Sequence, residues 1–125
     1  MRGVTLVGLG SIAALAAATG AYVLAHREPS AADHWALVDR YCVGCHNDAE
    51  LAGDLAFDRL NRTTLAADAA VWEAAIRKLR GHLMPPPGEP RPAEASVAAL
   101  VRWLEQSLDQ AAREAPNPGA PACIG

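Results

Sequence analysis

Bulky apolar side chains are scarce in this chain of 125 residues: Phe57 is the only phenylalanine, aromatics make up 5% of the sequence, and the apolar content is mostly alanine. About a hundred residues remain for folding beyond an N-terminal apolar run, a size at which a core built from protein alone is thin. A second cysteine pair is lacking. Cys42 and Cys45 therefore have no partners for a tetrahedral zinc site, which His34, His46 or His82 would complete only by accident. No βαβ pattern surrounds the pair, against a dithiol redox motif. No Ser/His/Asp set, phosphate loop or paired-acid constellation supports independent catalysis. Excess positive charge is missing too: fourteen Asp and Glu stand against eleven Lys and Arg, for a net charge of −3, so nucleic acid is not an expected partner.

What is present is Cys42-Val43-Gly44-Cys45-His46. C-x-x-C-H is the attachment signature of c-type haem. Two thiols three positions apart lie on one side of a helical turn, where both can join the vinyl groups of one porphyrin, and His46 then sits under the ring as an iron ligand. One such motif and no internal repeat lead us to expect one covalently bound haem c with its iron. A buried porphyrin also supplies the apolar contact area that the chain is short of, so the haem-free chain is expected to fold poorly.

A second signal is Gly81-His82-Leu83-Met84-Pro85-Pro86-Pro87-Gly88. Met84 is the only methionine besides the initiator, and the prolines after it stiffen the loop that carries it. A thioether on such a loop suits the sixth position of haem iron, and His with Met is the ligand set that raises the potential. The competing readings are Met84 as a core gap-filler and His82 as the distal ligand. With His46 and Met84 both bound, iron keeps no open position, and the expectation is electron transfer.

Tyr41 through Asn47, Trp72 through Leu79, Met84-Pro85-Pro86, Arg91-Pro92 and Trp103-Leu104 together resemble the planctomycete-type cytochrome c domain, over about Trp35 to Gly119. The resemblance implies a domain that often opens a much longer protein, reading on through a Pro-Asn-Pro-Gly-like stretch, as at Pro116-Asn117-Pro118-Gly119. Two functions are therefore expected: a free-standing electron carrier, or the electron relay of a larger oxidoreductase. Its redox partners, donor and acceptor, are not named by the sequence.

Residues 3–25 run without charge between Arg2 and His26-Arg27. As a helix this run spans about 34 Å, enough for a hydrocarbon core of about 30 Å. It reads either as a membrane anchor or as a secretory signal cleaved near Val23-Leu24-Ala25. Both export the domain, and the positive-inside rule leaves the residues after Ala25 on the outer, periplasmic face.

The expected organisation is an all-α, small cytochrome c-like domain of three main helices around one haem. An anchor or signal covers residues 1–25, a linker 26–33, the domain 34–114 and a Pro/Gly/Ala-rich tail 115–125. Ser30 and Asp33 form a capping-box pattern before a helix that presents Trp35, Val38 and Tyr41 and delivers the haem motif. Residues 47–64 lack a clean period and read as a loop over a haem edge, with Leu55 and Phe57 as apolar contacts. Asp68 is the expected cap of a helix over residues 69–80 with Trp72, Ile76 and Leu79 on one face. Trp72 is read as core, or as a core residue whose indole N–H also reaches a haem propionate. Pro92 is expected in the first turn of a last helix, striped by Val97, Leu100, Val101, Leu104 and Leu108, that crosses the first. Arg77, Lys78, Arg80 and Arg91 gather near the Met84 loop, to pair with propionates, guide an acidic partner or form a solvated face. Cys123 is a spare thiol in the tail.

Overall fold

A computed structural model of the chain describes residues 27–116. Its helices are α1 (Ala31–Tyr41), α2 (Ala69–Arg80) and α3 (Glu94–Glu114), with short 3-10 turns at Ala52–Asp54, Phe57–Arg59 and Leu65–Asp68 between α1 and α2. Among the described residues there is no strand, so the domain is small and all-α. Residues 1–30 and 31–125 form separate units; of the first, residues 27–30 are described and have no regular structure. The expected anchor or signal in residues 3–25, Cys123, and the tail from residue 117 lie outside the described residues. No helix among the described residues is long and apolar enough to cross a membrane.

Helix α1 begins immediately after Ser30 and so takes in the last three residues of the expected linker. Val38 is buried, Trp35 and Tyr41 are half-buried, and His34, absent from the expected apolar face, is also buried. Helix α2 has the expected bounds, because Trp72 and Ile76, four residues apart, fall on one face and are both buried. Its expected cap is a correction. Asp68 makes no side-chain cap; its carboxylate accepts the Asn61 N–H at 2.9 Å instead. The preceding 3-10 turn runs straight into the helix, with the Ala69 N–H bonded to the Ala66 carbonyl, so the end is satisfied without it.

Helix α3 starts at Glu94, and Pro92 lies outside it, against expectation. Ala93 is extended, at φ −59° and ψ 141°, and its carbonyl accepts the N–H groups of Ser96 and Val97, which makes it the point where the chain turns helical. Leu100, Val101 and Leu104 are buried, with Val97 and Leu108 packed partly against them. Fully burying one such leucine contributes about 1.5–3 kcal/mol.

The backbone of α3 packs along α2 and along the Leu65–Asp68 turn. Contact with α1 is made by large rings: His34 stacks on Trp103 at 4.9 Å, and the Trp35 and Trp103 rings meet edge-on at 5.4 Å. The expected pairing of first and last helices is thus carried in part by aromatic side chains.

Burial depresses the pKa of His34 below its ordinary 6.5, against a smaller opposing effect of Asp33. An imidazole neutral in the fold and protonated when unfolded gives the unfolded chain more bound protons. Its contribution is fully present above pH 6.5 and is lost as pH falls from there through the folded pKa. Comparison of thermal midpoints between about pH 8 and about pH 5 should show a smaller acid loss for His34→Phe than for the wild type. Equal losses would remove His34 from the acid response.

Candidate functional site

The backbone of α1 continues as one more turn through the cysteine motif. The N–H groups of Cys42 and Val43 bond to the Val38 carbonyl at 2.9 and 3.2 Å, and those of Cys45 and His46 to the Cys42 carbonyl at 3.2 and 2.9 Å. Asn47 secures the exit. Its amide nitrogen donates to the carbonyls of Val43 and Gly44 at 2.7 and 3.2 Å, while its oxygen accepts the N–H groups of Ala49 and Glu50, each at 2.9 Å.

The chain then folds back on His46. The Ala52 N–H bonds to the Cys45 carbonyl at 3.2 Å, and the Phe57 N–H to the His46 carbonyl at 2.8 Å. His46 Nδ1 lies 2.6 Å from the Ala52 carbonyl oxygen. A carbonyl only accepts, so the proton sits on Nδ1 and Nε2 keeps a lone pair free for a metal. The turn that aims this carbonyl uses left-handed backbone at Leu51, Gly53 and Asp54, with φ of 46°, 63° and 57°. Two of these residues carry a Cβ, so the turn is strained and held by its surroundings. Phe57 meets the His46 ring edge-on at 5.7 Å.

Cys42, Cys45 and His46 line an open cleft of about 230 Å³ together with Leu79, Met84 and Pro85. Met84 is half-buried there, and Pro85 is buried. His82 is placed elsewhere: it is exposed, adopts φ 52°, lies with Nδ1 3.6 Å from Glu94 Oε1, and lines a neighbouring depression with Leu79 and Val97. Of the two candidate distal ligands, Met84 is the one that shares the cleft with His46.

Trp72, 1% exposed, is not part of the cleft lining. It stands behind Phe57, ring to ring at 5.2 Å, with Trp35 against it edge-on at 5.4 Å. Its core role is therefore plain. Its buried Nε1 has no hydrogen-bond partner, a state that costs about 1–3 kcal/mol. A donor in this condition suits a buried acceptor such as a propionate, and the cleft itself carries two thiols, one imidazole with a free Nε2 and one thioether, a donor set that fits a haem.

The other chemistries fit less well. Burial pushes the Cys42 thiol up to about 11, with Asp39 adding to the rise, whereas a redox dithiol needs a thiolate of depressed pKa. Among the described residues no three His, Cys, Asp or Glu side chains gather as a metal-ligating set.

The basic cluster divides. Arg77 lies 3.9 Å from Glu73, and Arg80 pairs with Glu105 at 2.7 Å, both exposed arrangements of the solvated-face kind. Arg91 instead donates from Nη2 to the His82 carbonyl at 2.7 Å and to the Pro85 carbonyl. Arg40 and Glu89, unread in the sequence, also line the cleft. The place of Arg40 just before Tyr41 and the haem motif is the only signal that pointed to it.

No curated protein and no solved structure matches this chain significantly. Residues 42–88 match the family described as planctomycete cytochrome C, a span that takes in the thiols, His46 with its supporting loop, α2 and Met84. That match covers under half of the chain and supports a planctomycete-type cytochrome c domain there; the family implies a covalently bound haem with iron, which supports a haem-based electron-transfer role.

Proposed function

We propose that this protein is a single-haem c-type cytochrome that carries electrons between redox protein partners on the outer side of a bacterial membrane, its N-terminal run serving as anchor or signal. The observation that carries the proposal is the convergence of Cys42, Cys45, His46 and Met84 on one cleft, with His46 held in the tautomer that leaves Nε2 free.

Cys42 and Cys45 would hold the group covalently, and His46 and Met84 would supply a nitrogen and a sulfur to its iron. When bound, haem iron supplies one-electron exchange between its ferrous and ferric states. The Ala52 carbonyl keeps the His46 ring from rotating and fixes its tautomer through Nδ1. Leu79 and Pro85 exclude water from the cleft wall. With both His46 and Met84 on the iron, no position would be open to a substrate, a ligand set that would favour electron carriage over catalysis. Trp72 packs in the core behind Phe57, and its unpaired Nε1–H is a donor that a propionate would satisfy if one reached it.

Spectroelectrochemical titration of the purified protein tests this reading. The expected result is one reversible one-electron wave, with one haem per chain. Two waves, or irreversible reduction accompanied by ligand turnover, would contradict it.

A further inference from the structure

We propose that Arg91 is a positioning residue for Met84, locking the distal loop in the form that presents the sulfur. The inference rests on the reading of Met84 as the distal ligand. The loop leaves α2 through backbone bonds, with the Gly81 N–H on the Arg77 carbonyl at 3.0 Å and the Leu83 N–H on the Lys78 carbonyl at 2.9 Å. The next backbone bond runs from the Glu89 N–H to the Pro86 carbonyl at 3.2 Å. Around Met84 itself, the carbonyls of His82 and Pro85 both accept from the single Nη2 of Arg91.

These carbonyls stand two residues before Met84 and one after it. One guanidinium nitrogen carries two N–H bonds at a set angle, so serving both acceptors fixes their separation and hence the path of the chain between them. Among the described residues, the side-chain hydrogen bonds that reach residues 82–87 are these two. His82 is itself held at φ 52°, a backbone form that a residue with a Cβ keeps only when its surroundings enforce it.

The effect follows from competition. Sulfur-on and sulfur-off forms of the loop are in equilibrium, and any contact made only in the sulfur-on form shifts it toward ligation. An added ligand for iron must displace Met84 and measures that shift directly. Lysine cannot substitute fully, because its ammonium is a rotating point donor rather than a planar fork.

The test uses the haem-loaded protein with imidazole as the competing ligand. In Arg91→Ala the sulfur-to-iron charge-transfer band weakens, and imidazole binds tighter by about tenfold or more, the scale of one lost charge-assisted hydrogen bond. Arg91→Lys falls between it and the wild type, and provides the reading if the alanine variant does not mature. Leu65→Ala, a core change remote from the loop, lowers thermal stability while leaving band and imidazole affinity as they were. Wild-type band and affinity in Arg91→Ala, or equal changes in Arg91→Ala and Leu65→Ala, would overturn the positioning role. A band that persists in Met84→Ala would instead overturn the assignment of Met84 itself.

Discussion

Met84→Ala abolishes the sulfur-to-iron charge-transfer band and lowers the reduction potential by on the order of 100 mV or more, since axial ligation helps to move haem potentials over about 0.8 V. The Met84 thioether lines the cleft with His46, and a thioether ligand stabilises ferrous haem iron relative to ferric. Its removal takes away that preference and opens the sixth position to water or added ligands. A wild-type spectrum that lacks the band and is unchanged by the substitution would pass the distal position to His82. That outcome requires the loop to turn over, because His82 faces the neighbouring depression beside Glu94.

Trp72→Ala destabilises the haem-loaded protein by about 3–5 kcal/mol, measured by denaturant unfolding. Small domains are stable by only about 5–15 kcal/mol in all, so most of the margin is lost. The reason is position: Trp72 is 1% exposed and joins α1, the loop and α2 through Trp35 and Phe57. Few other large rings are available to close the gap. Trp72→Phe keeps a ring and removes the unpaired N–H. If the indole only packs, this change costs little beyond the lost volume. If it donates to a propionate, the loaded protein loses a further 1–3 kcal/mol, roughly the cost of stranding a buried acceptor. A Trp72→Ala variant as stable as the wild type would contradict the core assignment outright.

The helices were legible because burial imposes a period. Trp72 and Ile76 on α2, and Leu100, Val101 and Leu104 on α3, repeat at helical spacing and are buried together. The haem motif was legible because its chemistry requires adjacent residues. Contacts made by backbone acceptors were not. The Ala52 carbonyl that orients His46, and the His82 and Pro85 carbonyls held by Arg91, belong to atoms that every residue carries. The turn at Leu51 and Asp54 also hid itself, since its left-handed positions are occupied partly by residues that seldom signal one. Asp68 failed as a cap because a 3-10 turn had already satisfied the helix end and Asn61 competed for the carboxylate. His34 was passed over because a polar side chain breaks the apolar stripe in sequence, while its ring face packs on Trp103 as an aromatic would.

Covalent attachment through Cys42 and Cys45 underlies every other assignment, and the intact mass of the denatured protein, purified from cells competent for haem attachment, tests it most directly. The expected result is the mass of the polypeptide, with or without its N-terminal run, plus one haem, with the red chromophore migrating with the chain. A colourless chain with the mass of its amino acids alone would contradict it.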